Sequence, residues 1–168
     1  MKWITRRNLH IDRTACPWLI RNYIDPEAEF AFVPAGTDPS TIEGHTFDMR
    51  GAEYTHADGK CTFEVMLERH GLQKDPALVE MGRIIRDADV PPRRSLHPEA
   101  AGLDALIRGF QLTVPDDTEK IGLTASLYDA LYAYCQAKVS AQPPKQVVPR
   151  PRLSYTRRVE VHLQEDES

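Results

Sequence analysis

No apolar run in the 168 residues approaches the roughly 18–20 that a membrane-spanning helix needs, so membrane insertion is not expected. Cysteine is scarce. The three present, Cys16, Cys61 and Cys135, are too few and too scattered for a closed disulfide framework, and they read as reduced thiols of a cytoplasmic protein. An excess of positive charge is also missing: 21 Lys+Arg stand against 25 Asp+Glu, for a net charge of −4. That balance argues against a general nucleic-acid or anionic-membrane binder. No G-x-G-x-x-G, P-loop, G-x-S-x-G or H-E-x-x-H string occurs, which leaves nucleotide-dependent chemistry by those routes unsupported. Behind Arg6-Arg7, the polar Asn8, His10, Asp12 and Arg13 break the apolar segment that an export signal requires. There is no internal repeat.

What remains is an ordinary globular composition, 41% hydrophobic and 27% charged, long enough for one domain with a sizeable core. Lys2–Thr5 and Glu29–Val33 are short, aromatic and β-branched, as strands are. Between them Pro17–Ile24 reads as a helix with proline at its first position, Cys16 at or beside the N-cap, and Asp25-Pro26 as its stop. The three together form a small βαβ unit, and Thr46–Met49 offers a further strand. From Cys61 onward the apolar spacing is helical: Phe63 to His70, Leu78 to Ile85 opened by Asp75-Pro76 and closed by Pro91-Pro92, and Ala100 to Phe110 begun near Pro98. A last helix runs from Asp116 or Asp117 to Ser140, with apolar residues spread widely enough to predict a central, largely buried position. The expected fold class is α/β, with a small N-terminal sheet of two or three strands packed by about five helices and a mainly helical C-terminal part. Residues 1–140 form the domain. Residues 141–168 form a proline-rich, charged arm, in which Val159–Leu163 alternates like a strand and suits pairing with a sheet edge, as in a homodimer.

Two groups of side chains carry candidate chemistry. His10, Asp12, Arg13 and Cys16 precede the helix expected at Pro17. A helix N-terminus lowers a thiol pKa and binds oxyanions, with arginine as an added donor, so His10, Arg13 and Cys16 form a candidate anion site and Cys16 a candidate catalytic nucleophile. The bland alternative is a buried Cys16 beside an Asp12–Arg13 pair. Asp48, His56, Cys61 and Glu64 supply imidazole, thiol and carboxylates within a short span, which suits a divalent metal, zinc or iron. Cys61 and Glu64 equally fit a capping box at the helix start. Asp129, on the last helix among small residues, is a further ligand candidate if buried. Asp116-Asp117 suit a helix cap, and Arg86-Asp87-Ala88-Asp89 either a surface pair or the rim of the same pocket.

The strings Trp3-x-Thr5-Arg6, Asp12-Arg13-x-Ala15-Cys16-Pro17-Trp18-Leu19-Ile20-Arg21 and Ile24-Asp25-Pro26-x-Ala28 resemble the C-terminal domain of ChrB-type chromate-resistance proteins. So do Phe47-Asp48, His56 with Cys61-x-Phe63, Ile85-Arg86-Asp87-Ala88-Asp89, Ala100-Ala101-Gly102-Leu103, Pro115-Asp116-Asp117 and Tyr128-Asp129-Ala130-Leu131-Tyr132-Ala133. The resemblance spans about residues 2–138. It implies a protein linked to chromate resistance, with a sensing or regulatory role and a small oxyanion such as chromate or sulfate as partner. It assigns no catalytic or ligand residue. The alternative class is a metal- or thiolate-dependent enzyme, a reductase or hydrolase, acting on a small molecule. The extra N-terminal region of longer family members has no counterpart in the resemblance, so nucleic-acid binding located there is not expected of this chain.

Overall fold

The computed structural model describes residues 1–90 and 96–140. The expected arm, its strand-like segment and a dimer formed through it, as well as the Pro91-Pro92 stop, lie outside the described residues.

The chain begins with β1 (Lys2–Arg6), followed by α1 (Ile11–Leu19), which continues into one π-helical turn (Ile20–Ile24). Then come β2 (Glu29–Val33) and β3 (His45–Thr46). The remaining helices are α2 (Thr62–Arg69), α3 (Pro76–Asp89), α4 (Glu99–Thr113) and α5 (Asp117–Ser140). The expected α/β class holds: a small N-terminal parallel sheet and a mainly helical remainder. β1 lies in the middle, paired in parallel with β2 through Lys2–Glu29 to Arg6–Val33 and with β3 through Trp3–His45 and Ile4–Thr46. The third strand is shorter than the expected Thr46–Met49 because Phe47 forms only an isolated bridge to Tyr54 and Asp48 turns out with a left-handed φ of 48°.

The order β2-β1-β3 puts β2 and β3 on opposite edges of β1, so the chain crosses β1 between them. Gly44 makes the crossing feasible. Its φ is +125°, and a Cβ there would stand 2.6 Å from Ile4 Cδ1 and 3.0 Å from the Lys2 carbonyl oxygen. Gly44→Ala is expected to cost about 1–3 kcal/mol, since both backbone and contact are strained. A urea titration reads that loss directly.

Two expectations are corrected. First, α1 starts at Ile11 with His10 as N-cap, six residues ahead of Pro17, which sits inside the helix. Proline has no N–H, so the Arg13 carbonyl loses its helical partner. The helix holds nonetheless, because eight of its nine residues are buried, all but Arg13. Second, α1 and not α5 is the central helix: it packs against α2, α3 and α5. α5 buries a single stripe, Ile121, Thr124, Tyr128 and Cys135, while Leu123 and Tyr134 are exposed. Around α1 the core gathers Leu19, Phe63, Met66, Leu78, Met81 and Ile84, each worth about 1.5–3 kcal/mol on burial where aliphatic or aromatic. Tyr128 ties α5 to the first turn of α1, meeting Thr14 Oγ1 at 2.6 Å and donating to the Ile11 carbonyl at 3.2 Å.

Candidate metal centre

The site is built just beyond the carboxyl ends of β1 and β3. The turn from β1 into α1 is held from a distance: the Asn8 and Leu9 N–H groups donate to the Asp117 carboxylate at 2.8 and 3.2 Å. Lys120, almost fully buried, pairs with the same carboxylate at 2.8 Å. Asp117 therefore anchors this turn, while the neighbouring Asp116 caps α5 through the Glu119 N–H. With its start fixed, α1 carries Asp12 inward on its first turn, where the helix dipole favours an acid.

Asp12 is 0% exposed and works outside its own helix. Its two oxygens accept the Thr62 N–H at 2.6 Å and the Phe63 N–H at 3.2 Å, two of the donors that a helix leaves unpaired at its N-terminus. Asp12 is thus a cap for α2 delivered from α1. Asp48, just beyond β3, accepts Arg13 Nη1 at 3.0 Å and the Thr62 hydroxyl at 2.7 Å. Asp89 closes α3 at the other side. Between the three acids lies one imidazole nitrogen: His56 Nε2 is 3.1 Å from Asp12, 3.2 Å from Asp48 and 3.4 Å from Asp89.

The electrostatics follow from this crowding. Hydrogen bonding to Asp12 and then Asp48 pushes His56 up to about 10, against the effect of its partial burial. Burial raises Asp12 to about 6, opposed by the hydrogen bond from His56. Burial also works to raise Asp48, but His56 and the Arg13 charge outweigh it and hold that carboxyl below its ordinary value. Burial lowers Arg13, with Asp48 acting in the other direction. One donor of Arg13, Nε, is buried with no hydrogen-bond acceptor among the described residues.

Of the expected metal residues, His56 and Asp48 come together. Cys61 and Glu64 take the capping role: Glu64 accepts the Cys61 N–H at 3.2 Å, and its other oxygen takes Arg86 at 3.0 Å. The Cys61 thiol is buried and leans toward the Gly82 carbonyl. Asp129 is exposed and accepts the Trp18 indole N–H at 2.8 Å, so the burial that would have made it a ligand candidate is not found. Of the expected anion residues, Arg13 reaches the site. His10 flanks it, and Cys16 lies in the body of α1, fully buried. Burial, with Asp12 nearby, pushes Cys16 well up, and burial does the same to Cys61. Both effects run opposite to thiolate activation: Cys16 is away from the helix end that was to supply it, and Cys61, although at the N-cap of α2, is buried.

Asp12 and Asp89 are the two residues whose part sequence reasoning missed. Asp12 was paired with Arg13 and Asp89 placed at a surface or rim. One signal was available for Asp89: an acid at a helix C-terminus is disfavoured by the dipole and asks for a compensating cation. Among the described residues, Asp12, His56 and Asp89 form the one group of three such donors with ligand atoms all within 4.8 Å.

The family model described as "ChrB, C-terminal domain" matches residues 3–135. A curated relative, Protein ChrB of Cupriavidus metallidurans (strain ATCC 43123 / DSM 2839 / NBRC 102507 / CH34), is 35% identical over 134 residues. That match takes in 79% of this chain and 40% of the relative, so the chain spans about two fifths of the relative's length. No solved structure matches the chain.

Proposed function

The chain belongs to the ChrB C-terminal domain family, and from that premise we propose that it is a chromate-resistance protein with a divalent-cation centre at its heart. Asp12, Asp48, His56 and Asp89 would hold the ion, zinc or iron, and its occupancy would serve a sensing or regulatory role.

The observation that carries this is the convergence of three carboxylates on one imidazole nitrogen at 3.1–3.4 Å. Around an ion with bonds of about 2.0–2.2 Å in tetrahedral array, neighbouring ligand atoms stand about 3.3–3.6 Å apart. His56 therefore stands from each acid at nearly the spacing of neighbours in a coordination shell, and Asp12, His56 and Asp89 all offer ligand atoms within 4.8 Å of one another. Charge supports the same reading. Even with His56 protonated, the three acids outnumber His56 and Arg13 by one. A divalent ion in place of the His56 proton makes the group neutral. Three oxygens and one nitrogen suit hard or borderline ions better than thiophilic ones.

An oxyanion such as chromate or sulfate would bind beside the ion, against Arg13. Arg13 stands beside the acids with its Nε unclaimed, and Arg6 lies close enough for its charge to act on Arg13. Guanidinium and cation together match a tetrahedral dianion. Among the described residues no helix is long and apolar enough to cross a membrane.

Elemental analysis of protein purified without a metal-affinity step tests the centre, comparing wild type with Asp89→Asn. Asp89 is chosen because, among the described residues, it accepts no backbone hydrogen bond and serves no cap. A stoichiometric ion in wild type, lost in a variant whose melting temperature matches that of ion-stripped wild type, is expected. A folded wild type that takes up neither zinc, iron(II) nor manganese overturns the proposal.

A further inference from the structure

Asp89 is the least secured of the four acidic and imidazole donors. It sits at the last residue of α3, where the helix dipole repels it. Asp12 and Asp48 are each fixed by two short hydrogen bonds besides their contact with His56. Asp89 makes two ion-pair contacts among the described residues, with His56 at 3.4 Å on Oδ2 and with His10 at 3.8 Å on Oδ1, while the charges of Asp12 and Arg13 lie close enough to interact with it. One oxygen thus faces His56 and the centre, and the other faces His10, which stands within ion-pair reach and beyond hydrogen-bond distance.

His10 is itself fixed. Its Nε2 meets Asp104 Oδ1 at 2.8 Å, and the other oxygen of Asp104 accepts Arg108 Nε at 2.8 Å. Both Asp104 and Arg108 lie on α4, one turn apart. The backbone of His10 is held as well, because it is the N-cap of α1 and its carbonyl accepts the Thr14 N–H. A fixed ring therefore stands behind Asp89, with its far nitrogen clamped by α4 and its near one 3.8 Å from the carboxylate. That is where an outer partner of a metal-binding carboxylate would stand, one small shift from a hydrogen bond.

We propose that His10, clamped by Asp104, is the positioning residue that turns Asp89 toward the cation centre. The proposal rests on that centre being a cation site. It gives α4 a share in the site without contributing a ligand, and it gives His10 a role different from the anion contact expected of it.

Cobalt(II) is the probe, followed by its visible absorption during titration of the full chain, with a thermal melt of every variant. Wild type is expected to bind one cobalt ion. His10→Ala weakens binding about 10–100-fold and alters the absorption spectrum, and Asp104→Asn shifts both in the same direction by less. His10→Asn, whose amide N–H stands near the place of Nδ1, restores most of the affinity. A His10→Ala protein with wild-type affinity and spectrum overturns the proposal, as does a folded His10→Asn protein no better than alanine. A folded wild type that binds no cobalt overturns the cation centre itself, and a normal wild type with an indifferent His10→Ala overturns only the positioning role.

Discussion

Asp12→Ala is expected to lower the free energy of unfolding by about 3–5 kcal/mol, the range for breaking a buried charged contact. Two backbone donors at the start of α2 lose their acceptor, and both Thr62 and Phe63 are fully buried. Water cannot replace the carboxylate there, and each orphaned donor costs about 1–3 kcal/mol. The His56 imidazole loses its nearest acid in the same step. For a chain of this size the melting temperature is expected to fall by about 10 °C, taking about 2–4 °C per kcal/mol. Asp12→Asn keeps the shape but turns an NH₂ group toward donors, so its loss is smaller yet still measurable. Urea titration followed by tryptophan fluorescence gives both values. A loss below about 1 kcal/mol in the alanine variant would show that α2 finds its cap elsewhere.

His56→Ala is expected to remove two responses at once. With a pKa of about 10 in the folded chain against an ordinary 6.5, His56 binds its proton more tightly when folded. Its contribution to stability is therefore fully present below pH 6.5 and is lost as pH rises through about 10. Wild type should lose stability across that window more steeply than the variant, with an amplitude damped by the 38% exposure of the ring. The second response is to the cation. Zinc or manganese at about 100 times its Kd should stabilise wild type by about 2.7 kcal/mol and leave the variant unmoved. Unfolding titrations at several pH values, with and without the ion, read both. Equal slopes would remove His56 from the acid cluster in solution, and equal stabilisation by the ion would place the cation elsewhere.

The strands and most helix limits were legible because local chemistry announces them. Asp75-Pro76 opens α3 with two N–H groups accepted by the Asp75 side chain, as such a pair does. The start of α1 was missed for an equally local reason. Pro17 imitates a first helical position, while His10 is a poor cap that makes no side-chain cap bond. The spacing of Ile11, Ala15 and Leu19 on one buried face was the signal that outweighs the proline. The site was half legible. His56 and Asp48 stand close in sequence, whereas Asp12 and Asp89 come from the first turn of α1 and the last of α3. Only the crossing of the chain over β1 and the packing of α1 against α2 and α3 unite them. Cys61, Glu64 and Asp129 have metal-like chemistry but are occupied by a cap, an arginine and an indole. Residue type cannot reveal such prior engagement.

The cap that Asp12 supplies to α2 also bears on how such a site would age. A lineage with no remaining use for the centre would still be held to Asp12, because folding alone penalises its loss. Asp89 has no such second role and would drift once the proposed cation site fell out of use. Descendants that kept the first and scattered the second would mark where the activity was abandoned and the scaffold retained. Retention of Asp89 in step with Asp12 would record selection on the chemistry itself.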